Sequence, residues 1–222
     1  MSRITIIIII FITLIIFFNK KIVSYYYLNK FSNWVERPVK FKKLNFNYFG
    51  YLKIDEIEVL NKDKNYYENT FKAEKIEIHF DVRSIFSNLI IINDLNILNP
   101  EFFLDIKIKE NNQNINKKVY EDNIGLAKKI NENLPDKIWP KKNKDINFLI
   151  KKSTLSGGIG YIKVSDILNP SKIELSKMEF SFFGNDKNYR HYKDVLKSIL
   201  FDLYARTDEF KLKKLLKEIY KF

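Results

Sequence analysis

The feature that most limits what this chain can fold into is a period of two in its apolar residues, which begins at Phe41 and keeps returning. Leu44, Phe46 and Tyr48 alternate with Asn45 and Asn47, and the run ends near Gly50. Successive side chains of a strand point to opposite faces, so such a run has one buried and one wet face, the pattern of antiparallel sheet. Leu52 and Ile54 continue it, but the phase slips at Asp55-Glu56 before Ile57 and Val59, which predicts a bulge or tight bend. Phe71 opens a strand in which Ile76, Ile78 and Phe80 alternate with Glu77, His79 and Asp81. After a break at Ser84–Asn88, Leu89 to Leu98 forms another strand, which Asn99-Pro100 is expected to stop. Phe102, Leu104, Ile106 and Ile108 then alternate with Phe103, Asp105, Lys107 and Lys109.

The segment from Glu110 to Lys144 is rich in Asn and Lys and is expected to be a polar connector with one short helix, about Asp122 to Asn133. Strands resume with Ile146, Phe148 and Ile150, then Ile159 to Val164, then Ile173 to Phe183. In the tail the period changes to 3.6: Tyr189, Tyr192, Leu196, Ile199, Leu200 and Leu203 share one stripe. Thr207 or Asp208 can cap a second helix with Leu212, Leu215, Leu216 and Ile219 on its apolar face. Ile-Leu-Asn-Pro occurs at 97–100 and again at 167–170, which we take as two strand-stop signals. The expected fold class is α+β, mainly antiparallel β, with a curved sheet that has one apolar face.

Such a face must be covered. About 30 helical residues are few for seven or so strands, which leaves two outcomes open. Either the tail helices cover the sheet and the core is ordinary, or an uncovered groove remains for acyl chains, each buried methylene gaining about 0.8 kcal/mol. The candidate lipid-facing residues are Ile76, Ile78, Phe80, Phe102, Leu104 and Ile106.

Ahead of the strands, Ile4 to Phe18 carries no charge. Fifteen helical residues reach only about 22 Å of a hydrocarbon core of about 30 Å. The apolar run resumes after Lys20-Lys21, lysines can snorkel, and Tyr25–Tyr27 suit the headgroup layer, so a helix from about Ile4 to about Tyr27 would span. Residues 1–28 are therefore expected to form a transmembrane signal anchor, and 29–222 a single β-rich domain with a polar segment at 110–144 and helices at 188–222. A cleaved signal peptide is the alternative, and Ser24 is the only small residue near a cleavage position. Lysines after the span weakly favour a cytoplasmic C-terminus by the positive-inside rule.

Composition removes much chemistry. The chain has no cysteine and two histidines, which excludes disulfides, thiolate metal sites, cysteine nucleophiles and multi-histidine clusters. His79 and His191 read as solvated, and Asp55, Glu56, Glu58, Glu74 and Glu77 as a solvent face. Ser156–Gly160 is a turn entering a strand, without the Gly-Lys-Ser/Thr of a phosphate loop. No catalytic, cofactor or metal site is expected, and no enzyme.

The net charge of +12 invites a nucleic-acid reading. Yet residues 107–152 hold 12 cations against 6 acids and residues 189–222 hold 9 against 5, while the strand block 29–106 is nearly neutral. That distribution argues for lipid over nucleic acid as partner. Within Lys137–Lys144, Lys137, Trp139, Lys141 and Lys142 are candidate headgroup contacts, with a solvated linker as the plain alternative. The tail Lys211–Lys221 is a basic amphipathic helix that either packs on the sheet or lies on a membrane.

The order of these pieces is familiar. After the span come Tyr51–Val59, Phe71-Lys72-Ala73-Glu74-Lys75-Ile76-Glu77-Ile78, Asp81–Phe86, Ile90–Ile97 and Asn99-Pro100-Glu101-Phe102. This series resembles the N-terminal unit of AsmA-like proteins, in its Ala-Glu, apolar-x-apolar, Ser-apolar-apolar rhythm and in Asp122-Asn123-Ile124 before a short helix. The likeness covers most of the chain. It departs at Asn99-Pro100, where many relatives place a glycine-rich turn. The resemblance implies kinship with chorein-type lipid-transfer proteins and a single pass in the bacterial inner membrane. It further implies a C-terminal domain in the periplasm and a part in outer-membrane assembly or phospholipid homeostasis. Membrane lipid is the implied partner, with an envelope protein as a further one. A ligand-free anchored scaffold that recruits such a protein is the alternative function.

Overall fold

In the computed structural model, residues 28–29, 32–33, 37–47, 49–62, 66–110, 118–127, 147–165, 167, 169–185 and 188–222 are described. Among these residues the chain is α+β, a mainly antiparallel ten-stranded sheet with two C-terminal helices. The strands are β1 (Val39–Phe46), β2 (Tyr51–Leu60), β3 (Asn69–Phe80), β4 (Leu89–Glu110), β5 (Lys118–Asp122), β6 (Asn147–Ser156), β7 (Ile159–Val164), β8 (Ser171–Glu174), β9 (Met178–Gly184) and β10 (Arg190–His191). Helices α1 (Tyr192–Arg206) and α2 (Phe210–Tyr220) follow.

The sheet order is β1-β2-β3-β4-β6-β9-β10, with β5 and β7 also on β4 and β8 on β7. β1 to β4 form an antiparallel meander. The departures from antiparallel pairing are β6 and β7, which both run parallel to β4, and β10, parallel to β9. Long β4 is the spine. Leu89–Leu98 pairs with β6, Glu101–Ile106 with β7, and Ile106–Glu110 with β5.

Four expectations need correction. The strand expected from Ile173 to Phe183 is two, β8 on β7 and β9 on β6. Asn99-Pro100 does not stop the strand, which runs unbroken from Leu89 to Glu110. Asn99 takes a left-handed conformation (φ 49°), and pairing on the β6/β7 side skips Asn99 and Pro100. The missing proline N–H thus coincides with a gap in that ladder, where it is tolerated. The connector contains strand β5, which the sequence pattern did not show. The helix expected from Asp122 begins only at Leu126, after Asp122–Asn123 close the strand, and beyond residue 127 it lies outside the described residues.

The second Ile-Leu-Asn-Pro precedes β8 whereas the first lies inside β4, so the two occupy different structure. Among the described residues no helix is long and apolar enough to cross a membrane. The expected span Ile4–Tyr27 lies outside them.

A seam crosses the sheet. Glu56 (φ 52°) in β2, Asn99 (φ 49°) in β4 and Gly157 (φ 72°) between β6 and β7 are all left-handed. Ile54 pairs with Ile76 and Ile57 with Ala73, which sets Glu56 against Glu74; Lys75 with Leu98 and Ala73 with Pro100 sets Glu74 against Asn99. Leu98 faces Ser156 and Glu101 faces Ile159 at one offset, which sets Asn99 against Gly157. A Cβ on Gly157 would lie 2.0 Å from Asn99 Oδ1, so glycine is required by space as well as by φ.

Candidate functional site

Cross-strand partners share a face, so the register strings apolar side chains into rows. One row runs Leu44, Ile54, Ile76, Ile97, Leu155, Met178 across six strands. The next runs Phe46, Leu52, Ile78, Leu95, Ser153, Phe180. Beyond the seam a third runs Val39, Val59, Phe71, Phe102, Gly160, Ile173.

Coverage of this face is uneven. α1 and α2 place Tyr192, Val195, Ile199, Leu200, Leu203, Leu212, Leu216 and Ile219 in one cluster with β4, β6, β7, β8 and β9. The second cluster, Val39, Ile57, Val59, Ala73 and Ile76, contains no residue of either helix, and Leu28 packs against it from ahead of the sheet. Leu95 and Ile97 touch both clusters. Along the second row, Ser153 and Phe180 are 1% and 7% exposed under α1, whereas Phe46, Leu52, Ile78 and Leu95 are only half-buried. An apolar strip with partial cover therefore runs over β1–β4 beside a closed core.

The sequence-derived candidates divide between these regions. Ile76, at 9%, and half-buried Ile78 lie on the strip, and half-buried Phe80 lies at its end. Phe102 sits across the seam, half-buried, its ring 5.4 Å from that of Phe71. Leu104 and Ile106, at 4% and 0%, are sealed in the helix-covered core. The structure adds Leu44, Phe46, Leu52, Ile54 and Leu95 to the strip; the first four stood in the alternating pattern of the sequence. Lys137, Trp139, Lys141 and Lys142 lie outside the described residues.

On the opposite face an aromatic group packs at one place. Phe103 and Tyr161 stack with centroids 5.0 Å apart, and Tyr67 leans on both from the turn after β2. The backbone N–H of Tyr66 donates to Asp105 at 2.8 Å, and the Asn123 side chain bridges the N–H of Asp105 to the carbonyl of Phe103. Burial pushes the Tyr67 phenol up to about 12, and among the described residues its hydroxyl has no partner. At the seam, Lys42, Lys43, Asp55, Glu56, Glu74 and Lys75 line a shallow open cavity of balanced charge, unsuited to an acyl chain.

Asp122 ties the tail to the sheet. Its carboxylate accepts N–H bonds from Ile124, Leu126 and Ala127, and the Tyr220 hydroxyl donates to it at 3.2 Å. Burial nevertheless raises the Asp122 pKa, and it raises that of Tyr220 well above the ordinary phenol. The Tyr120 hydroxyl donates to Glu218 at 2.5 Å beside it. These bonds lock α2 down over the half of the sheet that is closed.

No protein-family model matches the chain, and no curated protein or solved structure matches it either.

Proposed function

We propose that this chain is a membrane-anchored bacterial envelope protein of AsmA-like type, whose sheet binds or guides lipid acyl chains in outer-membrane assembly or phospholipid homeostasis. One observation carries the reading: the apolar rows run on past the helices, so Phe46, Leu52, Ile78 and Leu95 stay half-buried while their row-mates under α1 are sealed. The strip is four strands wide, about 15 Å at the usual strand spacing, enough for one or two acyl chains side by side. It has no charged side chain within its rows, and each methylene laid on it would gain up to about 0.8 kcal/mol. The sequence resemblance and the charge-free run Ile4–Phe18 supply the envelope and anchor parts of the proposal.

Native mass spectrometry of the full chain from mild detergent tests it. Bound phospholipid is expected, and Ile78→Asp should abolish it while leaving the fold intact, because Ile78 is half-exposed. Leu104→Asp, in the sealed core, should unfold the protein instead. A lipid-free chain with no lipid exchange between vesicles sinks the proposal. A topology reporter fused after Phe222 tests the envelope assignment separately, and a cytoplasmic result ends it.

The second reading, a ligand-free scaffold, has its own support in the burial of Val39, Ile57, Val59, Ala73 and Ile76. It expects Ile78→Asp to unfold the chain as Leu104→Asp does.

A further inference from the structure

Helix α2 sorts its side chains by chemistry. Leu212, Leu216, Ile219 and Tyr220 are buried in the core. Lys211, Lys214 and Lys217 lie three residues apart on the other side and are exposed, and exposed Lys221 at the C-cap extends the line. At about 100° per residue, Phe210 falls between Lys214 and Lys217 in projection, and it is 79% exposed. Phe201 of α1, 52% exposed, packs on Tyr204 and Phe222 with centroids 5.8 and 5.7 Å away and borders this face.

The nearby acids offset the row only in part, since Asp208, Glu209 and Glu218 stand against Lys211, Lys213, Lys214, Lys217 and Lys221. Glu218 accepts the Tyr120 hydroxyl, and Glu209 faces Ser171 at 3.4 Å. Asp208 is the remaining one. Among the described residues Lys211, Lys214 and Lys217 have no ion-pair partner.

Packing on the sheet accounts for the buried side of α2 but not for Phe210. A ring 79% exposed and set among these lysines gains little from burial in the fold. It is the arrangement of an interfacial helix: ammonium groups meet lipid phosphates, their stems snorkel, and rings enter the boundary between headgroups and acyl chains. We propose that the outer face of α2, with Phe201 and Phe222 at its border, docks on an anionic phospholipid bilayer. This surface is separate from the apolar strip and does not depend on it.

The test immobilises the full chain through an N-terminal tag, washes out detergent, and measures capture of fluorescent vesicles. Vesicles of phosphatidylcholine with phosphatidylglycerol should be captured in preference to phosphatidylcholine alone, and high salt should release them. Each lysine near an anionic surface is worth about fivefold in binding, so Lys211→Glu, Lys214→Glu and Lys217→Glu together should weaken capture about a hundredfold or more. The matching Lys→Gln triple variant, which adds no charge repulsion on the helix, should also weaken it. Phe210→Ser alone should lower capture several-fold without a change in salt dependence. Phospholipid retained in native mass spectrometry reads the strip and not this face, so failure here and failure of the acyl-chain reading are distinguishable. Equal capture of both vesicle types, or capture that survives both triple variants, overturns the proposal. Retention of duplex DNA without capture of anionic vesicles also overturns it and gives the face to nucleic acid.

Discussion

At Gly160 a side chain of α1 packs directly on the sheet backbone. The glycine lies in β7 between Phe102 and Ile173, buried, and a Cβ on it would sit 2.1 Å from Leu203 Cδ2. Leu203 Cδ1 and Cγ would both be 3.3 Å away. The residue does not have a positive φ, so any cost of Gly160→Ala is packing and not torsion. Leu203 is itself 2% exposed among core side chains, and its methyls cannot swing aside without displacing neighbours.

Forced overpacking of that kind costs about 1–3 kcal/mol, and Leu203→Ala, which opens a cavity, about 2–5 kcal/mol. In the double variant the new methyl fills part of the space Leu203 vacates. Its total should fall short of the sum of the single costs by about 1 kcal/mol or more, as residues in direct contact do. Urea unfolding of the full chain in mild detergent, followed by circular dichroism, measures all three. A neutral Gly160→Ala, or strict additivity, would refute the claim that this contact seats α1 on the sheet. The seating matters because it fixes where the helical cover ends and the strip begins.

Other residues give sharper signs. Burial raises the Asp122 pKa above its ordinary 3.8, so the folded state holds that proton more tightly than the unfolded chain does. Stability from Asp122 is complete below the unfolded value and is lost as pH rises through the folded one. Urea midpoints should therefore fall on going upward from about pH 4, and Asp122→Asn should flatten that part of the curve. Tyr67→Phe should be neutral or slightly stabilising by thermal melt, because it removes a buried hydroxyl with no partner among the described residues. A loss above about 1 kcal/mol would mean that the hydroxyl is bonded. Gly157→Ala meets both a left-handed φ and Asn99 Oδ1, and should cost about 1–3 kcal/mol; combining it with Asn99→Gly should recover part of that.

What the sequence disclosed follows from what periodicity can encode. The phase slip at Asp55-Glu56 signalled a bend, and Glu56 is left-handed there. The tail stripes were legible because a helix faces one neighbour, and Tyr192, Ile199, Leu200, Leu203, Leu212, Leu216 and Ile219 are buried as expected. Tyr189, in contrast, precedes α1 and is 37% exposed. Thr207 does not cap α2; its hydroxyl donates to the carbonyl of Leu203 and closes α1, while Glu209 occupies the N-cap of α2.

Strand β5 escaped notice because Lys-Val-Tyr-Glu-Asp is short and mostly polar, and its partner is the far end of β4. The parallel pairing of β6 and β7 was equally hidden, since alternation tells a strand which face it buries and not which neighbour it takes. The same gap divided the site residues. Leu104 and Ile78 have identical patterns, and only the position of α1 and α2 makes one core and the other strip.

The seam explains how the rows on its two sides come to lie on one face. At it, the spacing of apolar residues becomes three instead of two: Ile54 to Ile57 in β2, Ala73 to Ile76 in β3, Ile97 to Pro100 in β4. In a regular strand an odd spacing sends the second residue to the opposite face. Yet Ile54 and Ile57 pack in one cluster, as do Ala73 and Ile76, and Ile97 and Phe102 both reach the main core. Left-handed residues in β2, in β4 and between β6 and β7 turn the chain so that phase changes while register does not. A non-glycine residue held there costs about 1–2 kcal/mol, and the seam holds two, Glu56 and Asn99, in the same line. Restoring strict alternation would remove that strain, but it would turn the strip away from the helices and expose one set of rows to water. The strain keeps the rows on both sides of the seam on one face, while the row of Ile78 and Leu95 itself runs on to buried Ser153 and Phe180, so an acyl chain held there, as we propose, would end against the closed core.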